Sequence, residues 1–101
     1  MKKIINGKLY NTETATELGS YWNGYPHGDF SFVMETLYIK KTGEYFLHGE
    51  GGPLTEYCNY VGNNRCFGSD ICPYTKAEAK EWAANVLSVE EYEKIFGEVE
   101  E

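Results

Sequence analysis

The stretch Cys58-Asn-Tyr-Val-Gly-Asn-Asn-Arg-Cys66-Phe-Gly-Ser-Asp-Ile-Cys72 confines every cysteine of a 101-residue chain to one Gly/Asn-rich connection. A connection this long, with Gly62, Asn63, Asn64 and Gly68 and few apolar side chains, recovers little of its conformational entropy by burying surface. It needs another tie. Three thiols suggest a metal, because structural zinc takes four tetrahedral ligands from thiolate sulfur or imidazole nitrogen. His48, closing the strand-like run Tyr45-Phe-Leu-His48, is the best-placed fourth ligand, and His27 is a weaker alternative. The expectation is a structural zinc site made by His48, Cys58, Cys66 and Cys72. Seven residues lie between Cys58 and Cys66 and five between Cys66 and Cys72, wider than the close pairs that mark zinc modules. Two other readings stay open: reduced thiols packed as small apolar side chains, and a disulfide. The odd number of cysteines and the lack of a secretory signal before the domain count against the disulfide.

A chain of this length is expected to form a single domain, 1–101, with a thin core. Apolar residues at 42% and charged residues at 25% exclude wholesale disorder. No apolar run is long enough to span a membrane, so the expected location is the cytoplasm of a bacterial host cell. The formal charge is −7, and eight glutamates against three lysines from Lys76 onward place −5 of it in the last quarter. Such a surface repels nucleic acid and attracts basic protein surfaces, including channels built to hold nucleic acid. A direct nucleic-acid partner is therefore not expected. Acidic surfaces also simply keep proteins soluble, and charge alone favours that explanation.

Lys3 to Tyr10 reads as a hairpin, since Asn6-Gly7 supplies the two positive-φ residues of a type I′ turn. Asn11 to Gly19 reads as one or two helical turns, with Asn11, Thr12 or Thr14 as cap and Gly19 as left-handed stop. Tyr21 to Phe32 holds five aromatics among turn formers and reads as an ordered loop. Most of these rings are expected to fold back as a lid, leaving one or two, from Tyr21, Trp22 and Tyr25, to anchor a partner. Leu37 and Ile39 alternate with polar residues, Lys41-Thr-Gly43-Glu44 turns the chain, and Tyr45 to His48 returns as the clearest strand pair of the sequence. Thr75-Lys-Ala-Glu78 and Ser88-Val-Glu-Glu91 are capping boxes. They start helices with Ala79, Trp82, Ala83 and Val86 on one inner face and Tyr92, Ile95 and Phe96 on the other, and Gly97 stops the second. The fold expected is α+β: a small antiparallel sheet from two hairpins against two C-terminal helices, with a long cysteine-containing loop.

The segments Ile5 to Ala15, Glu35 to Gly52 and Glu78 to Ala83 resemble the small accessory proteins of Gram-positive phages and conjugative elements. Small acidic proteins from such elements include the type II-A anti-CRISPR proteins. The resemblance implies a mobile-element context and assigns no residue a role; cysteines are not a fixed part of that family, so the zinc expectation rests on this sequence alone. Phosphate-binding loops, a nucleophile elbow and the His-Glu-x-x-His motif are all missing. A cysteine nucleophile with His48 as base lacks a third group to orient it. The expectation is a non-enzymatic inhibitor that binds a type II RNA-guided nuclease and blocks guide or target DNA loading. The alternative is an accessory or regulatory protein-binding module with another partner. Contact residues expected are Tyr21, Trp22 and Tyr25, the loop tip Asn64, Arg65 and Phe67, and the helix glutamates Glu90, Glu91 and Glu93.

Overall fold

The computed structural model describes residues 1–100. Its centre is a four-stranded antiparallel sheet in the order β3 (Thr16–Trp22), β4 (Val33–Ile39), β5 (Tyr45–Gly51), β8 (Gly68–Tyr74). Side chains alternate between the faces of a strand, and here both faces are covered. On one lie α1 (Lys76–Val86) and α2 (Val89–Phe96), where Leu37 and Leu47 pack against Ala79, Trp82 and Ala83. On the other, Tyr10 from the ribbon of β1 (Lys2–Ile5) and β2 (Lys8–Asn11) packs on Phe46 and Ile71. Adjacent Phe46 and Leu47, both buried, therefore serve opposite cores. The α+β class is as the sequence implies, with helices on one face of an antiparallel sheet.

The turns follow their local chemistry. Asn6 and Gly7 adopt φ of 51° and 76°, and the β1–β2 register brackets them. In both helices the cap hydroxyl accepts from the N3 amide and the N3 glutamate accepts from the cap amide, at Thr75/Glu78 and Ser88/Glu91. Gly97 ends α2 at φ 89°.

Two expectations are corrected. The run Asn11 to Gly19 is not a helix: one turn closes, with the Ala15 amide donating to the Asn11 carbonyl at 3.1 Å, and β3 begins at Thr16. Pairing with β4 outweighs the weak helical preference of this threonine-rich stretch. Gly19 is no left-handed stop either; a Cβ there would meet Leu87 Cδ1 at 2.9 Å, so its role is close approach of strand to helix. The cysteine stretch carries more structure than an open loop. It forms the ribbon of β6 (Asn59–Val61) and β7 (Asn64–Cys66) and then the edge strand β8, where Pro73 is tolerated because an edge strand needs only one set of ladder hydrogen bonds.

Candidate functional site

The register Trp22, Met34, Glu50, Ser69 places one end of all four strands in a row. Two connections leave from that end: residues 23–32 between β3 and β4, and residues 52–67 between β5 and β8. They are tied together, since the Gly52 amide donates to the Phe32 carbonyl at 2.9 Å and the Leu54 amide to the Phe30 carbonyl at 3.0 Å. Asn23 holds the first connection closed: its amide nitrogen donates to the Ser31 carbonyl at 2.7 Å, and its side-chain oxygen accepts from the Val33 amide at 3.1 Å. These bonds satisfy backbone groups of both loops locally, as buried polar groups require.

The same end concentrates exposed apolar surface. Of the twelve large hydrophobic residues left exposed among the described residues, Trp22, Tyr25, Phe30, Leu54, Tyr60, Val61 and Phe67 belong to these two connections or to the residue that enters them. A monomer rarely leaves a concentration of this kind without a partner for it. Trp22 is pinned by its indole N–H, which donates to the Tyr25 carbonyl at 2.6 Å, and Phe30 meets Phe67 edge to face at 6.2 Å. Of the five rings between Tyr21 and Phe32, three point outward. Phe32 is buried under a stacked His27, and Tyr21 packs into the helix-side core, so the lid accounts for only the minority.

Beside this end, on the helix side of the sheet, lies a groove of about 760 Å³ lined by Glu35, Glu56, Tyr57, Asp70, Cys72 and Tyr74 among others. Its construction starts from one pair in the register, Glu35 opposite Gly49. The Tyr57 ring lies flat where a side chain at Gly49 would stand, and this delivers its hydroxyl to Glu35 on the next strand. Trp82 Nε1 donates to the other carboxylate oxygen at 3.0 Å. Burial and the Glu35 hydrogen bond push the Tyr57 phenol well above its ordinary value, and Tyr74 is pushed up to about 12, by burial first and then by Glu35. Both phenols are therefore neutral donors at physiological pH.

The four residues expected to hold zinc do not converge. Leu47 pairs with Cys72 and His48 with Ile71, so Cys72 faces the helices and His48 the N-terminal ribbon. Asn59 pairs with Cys66, which puts Cys58 and Cys66 on opposite faces of their ribbon. Cys58 Sγ accepts instead from Arg65 Nη2 at 3.5 Å. Burial raises the Cys72 thiol and lowers His48, leaving a protonated thiol and a neutral imidazole. Among the described residues no group of three or more His, Cys, Asp or Glu side chains is placed to hold a metal ion. The arrangement does not fit a Cys3His centre.

The expected contact residues separate into two regions. Trp22, Tyr25, Asn64, Arg65 and Phe67 are exposed at the aromatic end. Glu90, Glu91 and Glu93 lie on α2, which packs through Phe96 on Tyr45, the start of β5 and so the far end of the sheet; Glu91 is occupied by the Ser88 cap. Sequence reasoning missed Phe30, Leu54, Tyr60 and Val61, and it missed Glu35. The last had a signal: it shares strand parity with inward Leu37 and Ile39, and a carboxylate at such a position needs donors. Among the described residues no helix is long and apolar enough to cross a membrane. Comparison of the chain with protein-family models, with curated proteins and with solved structures finds no match.

Proposed function

We propose that the protein is a non-enzymatic protein-binding module whose contact surface is the aromatic end of the sheet. The observation that carries this reading is the concentration of exposed Trp22, Tyr25, Phe30, Leu54, Tyr60, Val61 and Phe67 on two mutually hydrogen-bonded connections. Rigid, exposed tryptophan and tyrosine supply large contact area at low entropy cost, which is why they dominate binding hot spots. The specific form of the proposal rests on the sequence resemblance: an inhibitor encoded by a mobile element, an anti-CRISPR protein acting on a type II RNA-guided nuclease. The separation of the α2 glutamates from the aromatic end favours anchoring on a protein lobe over phosphate mimicry by the acidic helix. A target-cleavage assay with purified type II nucleases, with and without the protein, tests the specific form, and unimpaired cleavage across several orthologues would sink it. For whichever partner is captured, Trp22→Ala and Phe30→Ala are expected to weaken binding at least tenfold each, the loss typical of a hot-spot ring. Wild-type affinity in both variants would remove the aromatic end from the interface.

A further inference from the structure

The aromatic end and the groove are continuous, because Phe67 belongs to both and Glu56 follows Leu54 by two residues into the groove wall. The charge around them is one-sided. Asp29, Glu50, Glu56 and Asp70 surround the two connections, against Arg65 on the second connection and Lys3, which reaches Asp70 from β1. Asp70 is already paired with Lys3, whereas Asp29, Glu50 and Glu56 make no ion pair among the described residues. Inside the groove Glu35 spends both oxygens on neutral donors, Tyr57 and Trp82, so its charge is oriented but not neutralised. The field of these carboxylates reaches both phenols, since Glu35 and Glu56 each contribute to raising Tyr57 and Tyr74. An apolar platform next to an uncompensated acidic, tyrosine-walled groove is complementary to one kind of protein surface: apolar side chains flanked by arginine or lysine.

We infer that the partner contributes a basic, apolar-anchored segment, with its apolar side chains on Leu54, Phe30 and Phe67 and an arginine or lysine entering the groove between Glu35, Glu56 and the tyrosine rings. This deepens the protein-binding reading and rests on it. A cation in the groove gains carboxylate attraction beside the Tyr57 and Tyr74 side chains that line it. The groove volume of about 760 Å³ admits more than one side chain of an extended segment.

The test is a titration of isotopically labelled protein followed by amide chemical shifts, with a short synthetic peptide of alternating leucine and arginine as probe. Its counterpart with glutamate for arginine, and spermidine, serve as comparison ligands. The leucine–arginine peptide is expected to shift the amides of Leu54, Tyr57 and Phe67 to Cys72 and to bind at least about tenfold tighter than either comparison ligand. Raised salt should weaken it. Glu56→Gln, an exposed change that leaves the fold intact, should weaken it about threefold, as expected of one exposed charge. Equal binding of the glutamate peptide, equal binding of spermidine, shifts mapping to Glu90 and Glu93 instead, or the same shifts on concentrating the protein alone would each overturn the inference. Should a captured partner lose affinity with Phe30→Ala yet bind Glu56→Gln in a salt-independent way, the basic segment is refuted while the aromatic interface stands.

Discussion

Replacing Gly49 with alanine tests how the groove is built. A Cβ at this position would overlap Cζ, Cε1 and Oη of Tyr57, far inside the optimum carbon–carbon separation of about 3.5–4.0 Å. The ring cannot yield slightly, because the overlap falls on its body and its hydroxyl is fixed to Glu35. It must leave. Departure forfeits a hydrogen bond to a charged group, about 1.5–3 kcal/mol, and part of the burial of an aromatic side chain, about 1 kcal/mol for a half-buried ring. A loss of about 3 kcal/mol corresponds to a fall in melting temperature of roughly 12–20 °C for a domain of this size. Tyr57→Ala alone should cost a similar amount, for the same reasons. The two should not add: without the ring, an alanine at Gly49 loses its three nearest clashes and removes the conformational penalty of glycine in a strand, a gain of roughly 0.5–1 kcal/mol. A double-mutant cycle by urea denaturation is therefore expected to show a coupling of about 3 kcal/mol or more. Additive effects would refute the claim that Gly49 exists to admit Tyr57, and with it the account of how the groove is made.

Further measurements follow from the same geometry. Tyr57 holds its proton more tightly when folded, against an ordinary phenol value of about 10, so its contribution to stability is complete below that pH and is lost as pH rises toward the folded value. The urea midpoint of the wild type should fall above about pH 10 more steeply than that of Tyr57→Phe; parallel profiles would contradict the assignment. Trp82→Ala should cost about 3–5 kcal/mol as the loss of a buried ring, whereas Trp82→Phe should cost about 1.5–3 kcal/mol for the missing N–H to Glu35, both read from thermal melting. Elemental analysis of protein isolated under reducing conditions reads the metal question. With His48 and Cys72 on opposite faces, the expected result is no stoichiometric zinc and a Cys66→Ser variant that melts like wild type. About one equivalent of zinc, with melting lowered by a chelator, would require the connection to refold around the metal.

What was legible in the sequence is what short-range chemistry decides. Asn6-Gly7, the Thr75 and Ser88 boxes and the Gly97 stop each specify a conformation through residues within four positions of one another, and each is found as read. Thr16 to Trp22 failed because its local preferences are weak and the deciding interaction, pairing with Val33 to Ile39, lies across a connection whose closure the sequence does not announce. No local motif explains the glycines of the Gly49-Glu-Gly51-Gly52 run. Their purpose is spatial: Tyr57, Thr55 and the Phe30 carbonyl occupy the volumes their side chains would fill. The same physics explains the uneven reading of the candidate site. Trp22, Tyr25 and Phe67 could be singled out because aromatics in turn-rich segments are conspicuous, but whether a ring points outward depends on what the loop closes on. Asn23, bonded to Ser31 and Val33, fixes that geometry, and it turns Phe32 inward while leaving Phe30 out. The acidic helix was conspicuous for the same compositional reason, yet its Phe96 docks on Tyr45, at the opposite end of the sheet. Glu35, isolated in sequence from other charges, becomes the centre of the groove because β4 sits between β3 and β5 and its neighbours Leu37 and Ile39 commit it to the helix side. A carboxylate held there by two neutral donors keeps its charge available, which is the property a cation-binding groove needs and the one that no local motif encodes.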